Sequence, residues 1–223
     1  MLDRFKVCVA AISVVFFLHA SDGLAATVSH LSGAPSKGEA VKLSVDDFTR
    51  VGNCGGGKSV VNDGCSVVKK SDSAAADAYG RYPVPPQRDW IDSQDIDELE
   101  WTVTASGSFT SLRFALTDAY DQQDSHFTMS YKDGDTWSPI WSVRERQENG
   151  NLFWLNVAFD QPVSSAALRF STKVGGGYDG YGISTVSVTP SPVPVPSSTL
   201  LLLSGALCMA GLRRRLSSSP PLG

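Results

Sequence analysis

Hydrophobic and polar side chains alternate in short runs through the middle of the chain. A period of two is typical of a β-strand with one buried face, because successive side chains point to opposite sides of a sheet. The apolar members of the runs are Val41, Leu43 and Val45; Leu99, Trp101 and Val103; Leu112, Phe114 and Leu116; Phe127, Met129 and Tyr131; Phe153, Leu155, Val157 and Phe159; Leu168 and Phe170; and Val186 and Val188.

Turn-forming residues separate these runs, as in the Asn-Asp-Gly sequence at 62–64 and in residues 132–135 and 148–151. No amphipathic helix longer than two turns and no internal repeat is evident in the sequence. About eight to ten short strands with polar turns predict an all-β fold, an antiparallel β-sandwich of jelly-roll-like type. Residues 69–88 contain three prolines and are predicted to form a long surface loop.

The N-terminus has the parts of a secretory signal peptide. Arg4 and Lys6 provide a basic start, and an apolar run of twelve residues interrupted by one serine follows. Gly23 and Ala25 satisfy the preference of signal peptidase for small side chains, which predicts cleavage after residue 25, with residue 26 as second choice. An uncleaved anchor is the competing interpretation, although twelve apolar residues are short for a bilayer.

The C-terminus carries a second set of signals. Four alternating prolines in residues 189–198 predict an extended linker, because proline fixes φ and donates no hydrogen bond. A mostly apolar segment of fourteen residues, 199–212, precedes Arg213, Arg214 and Arg215. As a helix this segment would extend about 21 Å, short of a hydrocarbon core of about 30 Å. It is therefore predicted to be a short hydrophobic helix whose arginines stay in the cytoplasm.

These C-terminal residues resemble a known signal. The motif Val193, Pro194, Val195 and Pro196, followed by the apolar segment and the arginines, resembles the VPLPA-type PEP-CTERM sorting domain. The resemblance implies that an exosortase in the inner membrane of a Gram-negative bacterium recognises the tail and cleaves near the motif. The protein then reaches the cell surface or the extracellular matrix. The sequence departs from the family in having valine at 195 instead of leucine and serine at 197 instead of alanine.

A plain single-pass membrane anchor would need the same apolar and basic residues without the motif. The interior also resembles the β-rich ectodomain of proteins with this tail, in residues 80–82, 90–95, 100–103, 114–119 and 179–183. Proteins with this tail commonly accompany exopolysaccharide and biofilm genes. The predicted domains are a signal peptide at 1–25, a β-sandwich ectodomain at 26–188, the linker with its sorting motif at 189–198, the hydrophobic segment with its arginine stop at 199–215, and a tail at 216–223.

Composition and charge narrow the function. The chain is 42% hydrophobic and 19% charged, which excludes collagen-like and wholly disordered proteins. Outside the signal peptide and the three C-terminal arginines, 14 basic and 21 acidic residues remain, a net charge of −7. A domain this acidic does not attract nucleic acid by charge.

Two of the four cysteines belong to the predicted ectodomain. Cys8 leaves with the signal peptide and Cys208 lies in the C-terminal apolar segment. Cys54 and Cys65 are predicted to form a disulfide in an oxidising compartment. Such a disulfide stabilises a fold by about 2–3 kcal/mol. A metal-binding pair of thiolates is the alternative.

Two glycine-rich motifs are predicted not to bind nucleotides. Residues 52–59 fit the P-loop pattern and residues 175–180 contain G-x-G-x-x-G, but both sites need a following helix. The residues after each motif favour a turn or a strand instead. His30 and His126 are not predicted to take part in catalysis with a serine nucleophile, because the sequence has no G-x-S-x-G motif to form the nucleophile turn. We therefore expect a protein without enzymatic activity.

Acidic and aromatic residues supply the candidate binding sites. Calcium takes oxygen ligands from irregular loops, so Asp118, Asp121 and Asp179 are a candidate calcium site, the alternative being solvated loop charge. Aromatic rings at loops can stack on sugars. The candidate sugar-binding residues are Trp90, Trp137, Tyr178 and Tyr181, with Trp141 also near a loop. The alternative places Trp141 and Tyr181 in the core.

Three functions follow in order of preference. The first is a non-enzymatic surface or matrix protein associated with exopolysaccharide or biofilm, with signal peptidase and exosortase as processing partners. In this interpretation the C-terminal segment lies in the membrane before processing. The second is a carbohydrate-binding module, with or without calcium, and the third is a polysaccharide hydrolase.

Overall fold

The computed structural model describes residues 26–35, 38–53, 66–71, 80–121, 126–172 and 179–192. This part of the chain contains ten β-strands and one 3₁₀ helix, Val45–Asp47. The strands are β1 (Ala26–His30), β2 (Glu39–Ala40), β3 (Phe48–Arg50), β4 (Val68–Ser71), β5 (Asp89–Asp92), β6 (Glu98–Thr117), β7 (Phe127–Asp133), β8 (Thr136–Val143), β9 (Leu152–Ser171) and β10 (Gly182–Pro190).

Two long strands, β6 and β9, organise the fold. Each has 20 residues, and they pair antiparallel in two stretches, 98–104 with 165–171 and 111–117 with 152–158. Register shifts between 104 and 111 separate the two stretches. Irregularities of this kind bend a strand and let it pass from one sheet layer to the other.

The bend divides the hydrogen-bonded strands into two layers. The first layer has the order β4, β5, β10, the second half of β6, the first half of β9, and β1. The second layer has the order β3, the first half of β6, the second half of β9, β7, and β8. The two-residue strand β2 pairs with the end of β10. All of these pairings are antiparallel.

Aromatic side chains from both layers meet in the core. Trp101 of the second layer packs edge-on against Phe114 of the first, with ring centroids 5.3 Å apart. Phe114 in turn lies 6.1 Å from Phe170, which also belongs to the second layer. All three rings are fully buried. The predicted antiparallel β-sandwich is therefore confirmed.

The strand predicted around Val41, Leu43 and Val45 is largely wrong. Strand β2 ends at Ala40, and a 3₁₀ helix begins at Val45. Ser44 caps this helix: its hydroxyl accepts from the Asp46 amide, and its own amide donates to the Asp47 carboxylate. Local side-chain hydrogen bonds thus outcompete the sheet ladder at this point. Leu43 is nevertheless buried.

The surface loop predicted at 69–88 is also wrong in part. Its first residues lie in β4, and the stretch around Val84 is buried. The Val84 amide donates to the hydroxyl of Ser184 at 3.1 Å, and the Gln87 side chain accepts from the Val186 amide at 3.0 Å. The segment therefore packs against β10, because its backbone and side-chain polar groups find partners on that strand.

Several predictions concern residues outside the described ranges. These are the signal peptide at 1–25, Cys54 and Cys65, Tyr178, the motif at 193–196, and the hydrophobic segment with its arginines. Among the described residues, no helix is long and apolar enough to cross a membrane.

Candidate ligand-binding face

The outer surface of the second layer presents a partly exposed tryptophan among polar side chains. Alternation along the strands creates this surface, because Leu168 and Phe170 point into the core and Arg169 between them points outward. Glu100 is placed in the same way between two buried core residues of β6. We call this surface the Trp137 face and define it by Glu100, Thr102, Ser130, Lys132, Trp137 and Arg169.

Strand pairing brings the members of the Trp137 face together. Arg169 is aligned with Glu100 on one side and with Ser130 on the other. Lys132 and Trp137 are aligned across the hairpin that joins β7 and β8. Four strands thus supply one continuous surface, with Trp137 on β8, the outermost strand of the layer among the described residues.

The indole of Trp137 is held by two cations. The guanidinium carbon of Arg169 lies 4.2 Å from the ring centroid, and the Lys132 ammonium lies 5.8 Å from it. Cations over an aromatic ring at an exposed site contribute about 0.5–1 kcal/mol. Glu100 fixes Arg169 in turn, since its Oε1 accepts from Arg169 Nε at 3.1 Å and also from Nη2. The ring is therefore preorganised before any ligand arrives.

The chemistry of this face suits a ligand that is apolar on one side and rich in hydroxyls at its edge. The indole offers an apolar surface. Arg169 and Lys132 donate hydrogen bonds, Glu100 accepts them, and the hydroxyl of Ser130 does both. A pyranose ring has this combination of an apolar C–H surface and a polar rim.

Two other predicted sugar-binding residues are not available on the surface. Trp90 and Tyr181 are only 3% and 1% exposed, so the prediction that they stack on a ligand is wrong. Lys70 covers the Trp90 ring with its ammonium 4.8 Å from the centroid. Tyr181 packs edge-on against Phe127 with ring centroids 5.2 Å apart, as the core alternative expected, and burial raises its pKa well above the ordinary value.

Trp141 lies at the seam between the layers. Its ring packs against Phe127 and Phe153, and its indole N–H donates to Nε2 of His30 at 3.2 Å. His30 lies on β1 and Trp141 on β8, so this contact joins the edge strands of the two layers. The position of Trp141 agrees with the core alternative, and its role is structural.

The three candidate calcium ligands do come together. The Asp121 amide donates to Asp179 Oδ2 at 2.9 Å, and the Gly150 amide donates to Asp118 Oδ1 at 2.9 Å. The pKa of Asp179 is raised to about 7, chiefly by burial and also by the nearby carboxylates of Asp121 and Asp118, while the hydrogen bond from the Asp121 amide lowers it.

A calcium site is not supported by this geometry. One carboxylate oxygen of Asp118 and one of Asp179 accept from backbone amides. Across the described ranges, no group of three or more histidine, cysteine or acidic side chains is arranged to hold a metal ion. The three residues form an acidic cluster at the loop end of the sandwich.

Sequence reasoning missed two features of the structure. The pairing of Arg169 with Glu100 depends on the register of β6 and β9, and the sequence signals only that both residues face outward. The buried ion pair of Arg81 with Asp92 was also missed, because Arg81 falls in the segment predicted to be a surface loop. A buried arginine outside the alternating runs carries no sequence signal that would identify it.

No family model matches the chain, and no curated protein is similar to it in sequence. Among solved structures, a cleaved adhesin domain of Lys-gingipain is 9% identical with a TM-score of 0.39, and the match covers 75% of this chain and 99% of that one. A variant of a family 29 carbohydrate-binding module is 16% identical with a TM-score of 0.32, and the match covers 75% of this chain and 94% of that one. At these TM-scores neither likeness bears on the function of this chain.

Proposed function

We infer that the ectodomain is a non-enzymatic module that binds polysaccharide through the Trp137 face. The observation that carries this inference is the partly exposed indole of Trp137, held by Arg169 and Lys132 on an open sheet surface. A partly exposed indole with hydrogen-bonding side chains beside it suits a sugar of a polysaccharide chain. The acidic charge of the domain agrees with an uncharged partner.

The state of Glu100 supports binding rather than hydrolysis. Hydrolysis of a glycosidic bond uses a pair of carboxyl groups on the two sides of the bond, one of which transfers a proton. The carboxylate of Glu100 instead accepts two hydrogen bonds from Arg169. It orients the guanidinium and offers its remaining acceptor capacity to sugar hydroxyls.

Affinity electrophoresis tests this function. The full chain is run in native gels that contain hydroxyethylcellulose, galactomannan or no polymer. We expect at least one polymer to retard the protein, and Trp137→Ala to lower the affinity about tenfold or more, since buried aromatic anchors dominate such interfaces. Trp137→Phe retains a ring and should bind with intermediate affinity.

The matched control is Ser138→Ala, which changes the exposed neighbour on the same strand without altering net charge. This variant should be retarded like the original protein. Equal retardation of the Trp137→Ala and Ser138→Ala proteins would show that the Trp137 face is not the site. No retardation by either polymer would overturn the proposed binding function.

We also propose that this module lies at the cell surface or in the extracellular matrix of a Gram-negative bacterium. Support comes from the predicted signal peptide and from the resemblance of the motif at 193–196, with Arg213, Arg214 and Arg215, to exosortase substrates. Intact mass spectrometry of the protein from cells and from medium tests this location. A chain that begins near residue 26 and ends near residue 196 is expected, whereas an intact C-terminus in the membrane fraction would indicate a plain anchor.

A further inference from the structure

A second tryptophan faces outward on the opposite layer. Along the first half of β9, Leu155 and Val157 are fully buried, and Phe153 packs against Trp141 at the seam between the layers. Because side chains alternate along a strand, Trp154 points away from this core on the outer surface of the first layer. Trp154 is partly exposed.

Polar groups lie in the neighbouring row of the same surface. Asn156, two residues along β9 from Trp154, accepts from Arg113 Nε through its Oδ1 at 3.0 Å. Its amide nitrogen donates to the hydroxyl of Ser29 at 3.4 Å. These three side chains come from three adjacent strands, β6, β9 and β1. We call Ser29, Arg113, Trp154 and Asn156 the Trp154 face.

The Trp154 face shares two features with the Trp137 face. Each combines a partly exposed indole with an arginine oriented by an oxygen acceptor, Asn156 in one case and Glu100 in the other. Ser29 adds an exposed hydroxyl, which donates and accepts. Arginine, asparagine and serine side chains all donate hydrogen bonds, and asparagine and serine also accept them, so the Trp154 face suits the hydroxyls of a sugar.

The two faces point in opposite directions, because they lie on the outer surfaces of two layers that pack against each other. We propose that the Trp154 face is a second polysaccharide-binding site, so that one ectodomain bridges two polysaccharide chains. This inference rests on the proposed function of the Trp137 face. Two sites that face apart cannot engage the same short stretch of polymer, so their joint effect is crosslinking rather than tighter binding to one chain.

Titration calorimetry of the full chain with cellohexaose and with mannohexaose counts the sites. Two hexasaccharides per protein are expected for the sugar whose polymer retards the protein, and one for either Trp137→Ala or Trp154→Ala. The double variant should bind none. The control Val68→Ala removes an exposed apolar side chain from β4, at the other edge of the same layer, and should retain two sites.

Crosslinking is tested by light scattering of the protein mixed with hydroxyethylcellulose or galactomannan, whichever polymer retards it. The original protein and Val68→Ala should raise the scattering, and either single tryptophan variant should abolish the increase. Asn156→Ala provides a second test that keeps the indole in place, and it should weaken one of the two sites about tenfold.

The number of hexasaccharides bound per protein distinguishes failure of the second site from failure of the Trp137 face. One hexasaccharide per protein, lost in Trp137→Ala and unchanged in Trp154→Ala and Asn156→Ala, would overturn the second site and leave the first intact. Two sites without any increase in scattering would overturn bridging. Absence of binding to both sugars and both polymers would overturn both proposals.

Discussion

The guanidinium of Arg81 donates to the carboxylate of Asp92 at 2.9 Å, and both side chains are buried. Asp92 closes β5, and it also receives the ammonium of Lys70 at 2.5 Å and the amide of Gln94 at 2.9 Å. Arg81 reaches Asp95 as well, at 3.4 Å. The segment before β5 is therefore fastened to the sheet by one buried ionic network.

Breaking this network from one side is expected to destabilise the domain. Arg81→Met should lower the free energy of unfolding by about 1.5–3 kcal/mol, because it removes the guanidinium from the buried carboxylate of Asp92 and leaves the Lys70 ammonium as its remaining cation. Urea denaturation measures the change. The control Arg144→Met removes an exposed arginine and should change the stability by less than about 0.5 kcal/mol.

The double variant Arg81→Met with Asp92→Leu distinguishes charge from packing. Replacing both members of a buried ion pair by apolar residues is often nearly neutral. We therefore expect the double variant to be more stable than Arg81→Met alone. A double variant that is less stable than Arg81→Met would contradict the assignment of the loss to the buried charge of Asp92.

Gly80 is required by its surroundings as well as by its backbone conformation. Its φ is +94°, and a Cβ atom there would lie 2.0 Å from the Asn149 side-chain oxygen and 2.7 Å from the Gly150 amide nitrogen. Gly134 also has a positive φ, +56°, but a Cβ atom would meet nothing within 4 Å. The two glycines therefore share a conformational requirement and differ in crowding.

Gly80→Ala should destabilise the domain by clearly more than Gly134→Ala does. Gly134→Ala introduces only the strain of a left-handed backbone, about 1 kcal/mol. Gly80→Ala adds the displacement of the turn at 149–150. Thermal unfolding of the two variants makes the comparison, and equal shifts in midpoint would mean that the turn moves aside at no cost.

Trp101 and Trp137 illustrate one residue type in two roles. Trp101 is 1% exposed and stacks on Phe48 with the rings 5.5 Å apart. Trp101→Ala is expected to lower the free energy of unfolding by about 3–5 kcal/mol, since it empties the centre of the core. Trp137→Ala should lower it by about 1 kcal/mol, the contribution of its cation contacts. Urea denaturation of both variants tests this difference, and a reversed order would contradict the assignment of Trp137 to a binding surface.

The alternation of apolar residues was enough to predict the fold class and most of the strands. Runs such as Leu99, Trp101 and Val103 lie in β6 with their apolar side chains buried, because a period of two leaves no other way to hide them. The length of β6 and β9 could not be predicted in this way. Each combines two runs with an irregular stretch that the sequence marks as a break.

The candidate sites were harder to predict because their members lie far apart in the chain. Trp137 was identified as an aromatic residue near a turn, but its partners Glu100 and Arg169 depend on strand register. Trp90 and Tyr181 were predicted to be exposed because they flank loops. Lys70 packs over the Trp90 ring, and Phe127 packs against Tyr181. Neither contact can be inferred from the local sequence.

Asp179 makes the stability of the domain depend on pH. Burial, aided by the charges of Asp121 and Asp118, raises its pKa to about 7 from an ordinary value of 3.8. Between these two pH values the folded protein holds a proton that the unfolded chain has released. The contribution of Asp179 to the free energy of unfolding should therefore be largest below about pH 4. It should fall as the pH rises through 7, and the total loss should be at most about 4 kcal/mol.

Asp179→Asn replaces the carboxyl by a group that stays neutral and still accepts from the Asp121 amide. The variant should therefore show a flatter dependence on pH between 5 and 8, and its largest stability gain over the original protein should occur at pH 8. Urea midpoints across this range measure both effects. Asp160→Asn is the control, because it removes the same charge from an exposed position of β9 and should leave the slope unchanged. Parallel pH profiles for Asp179→Asn and the original protein would refute the assignment of this slope to Asp179.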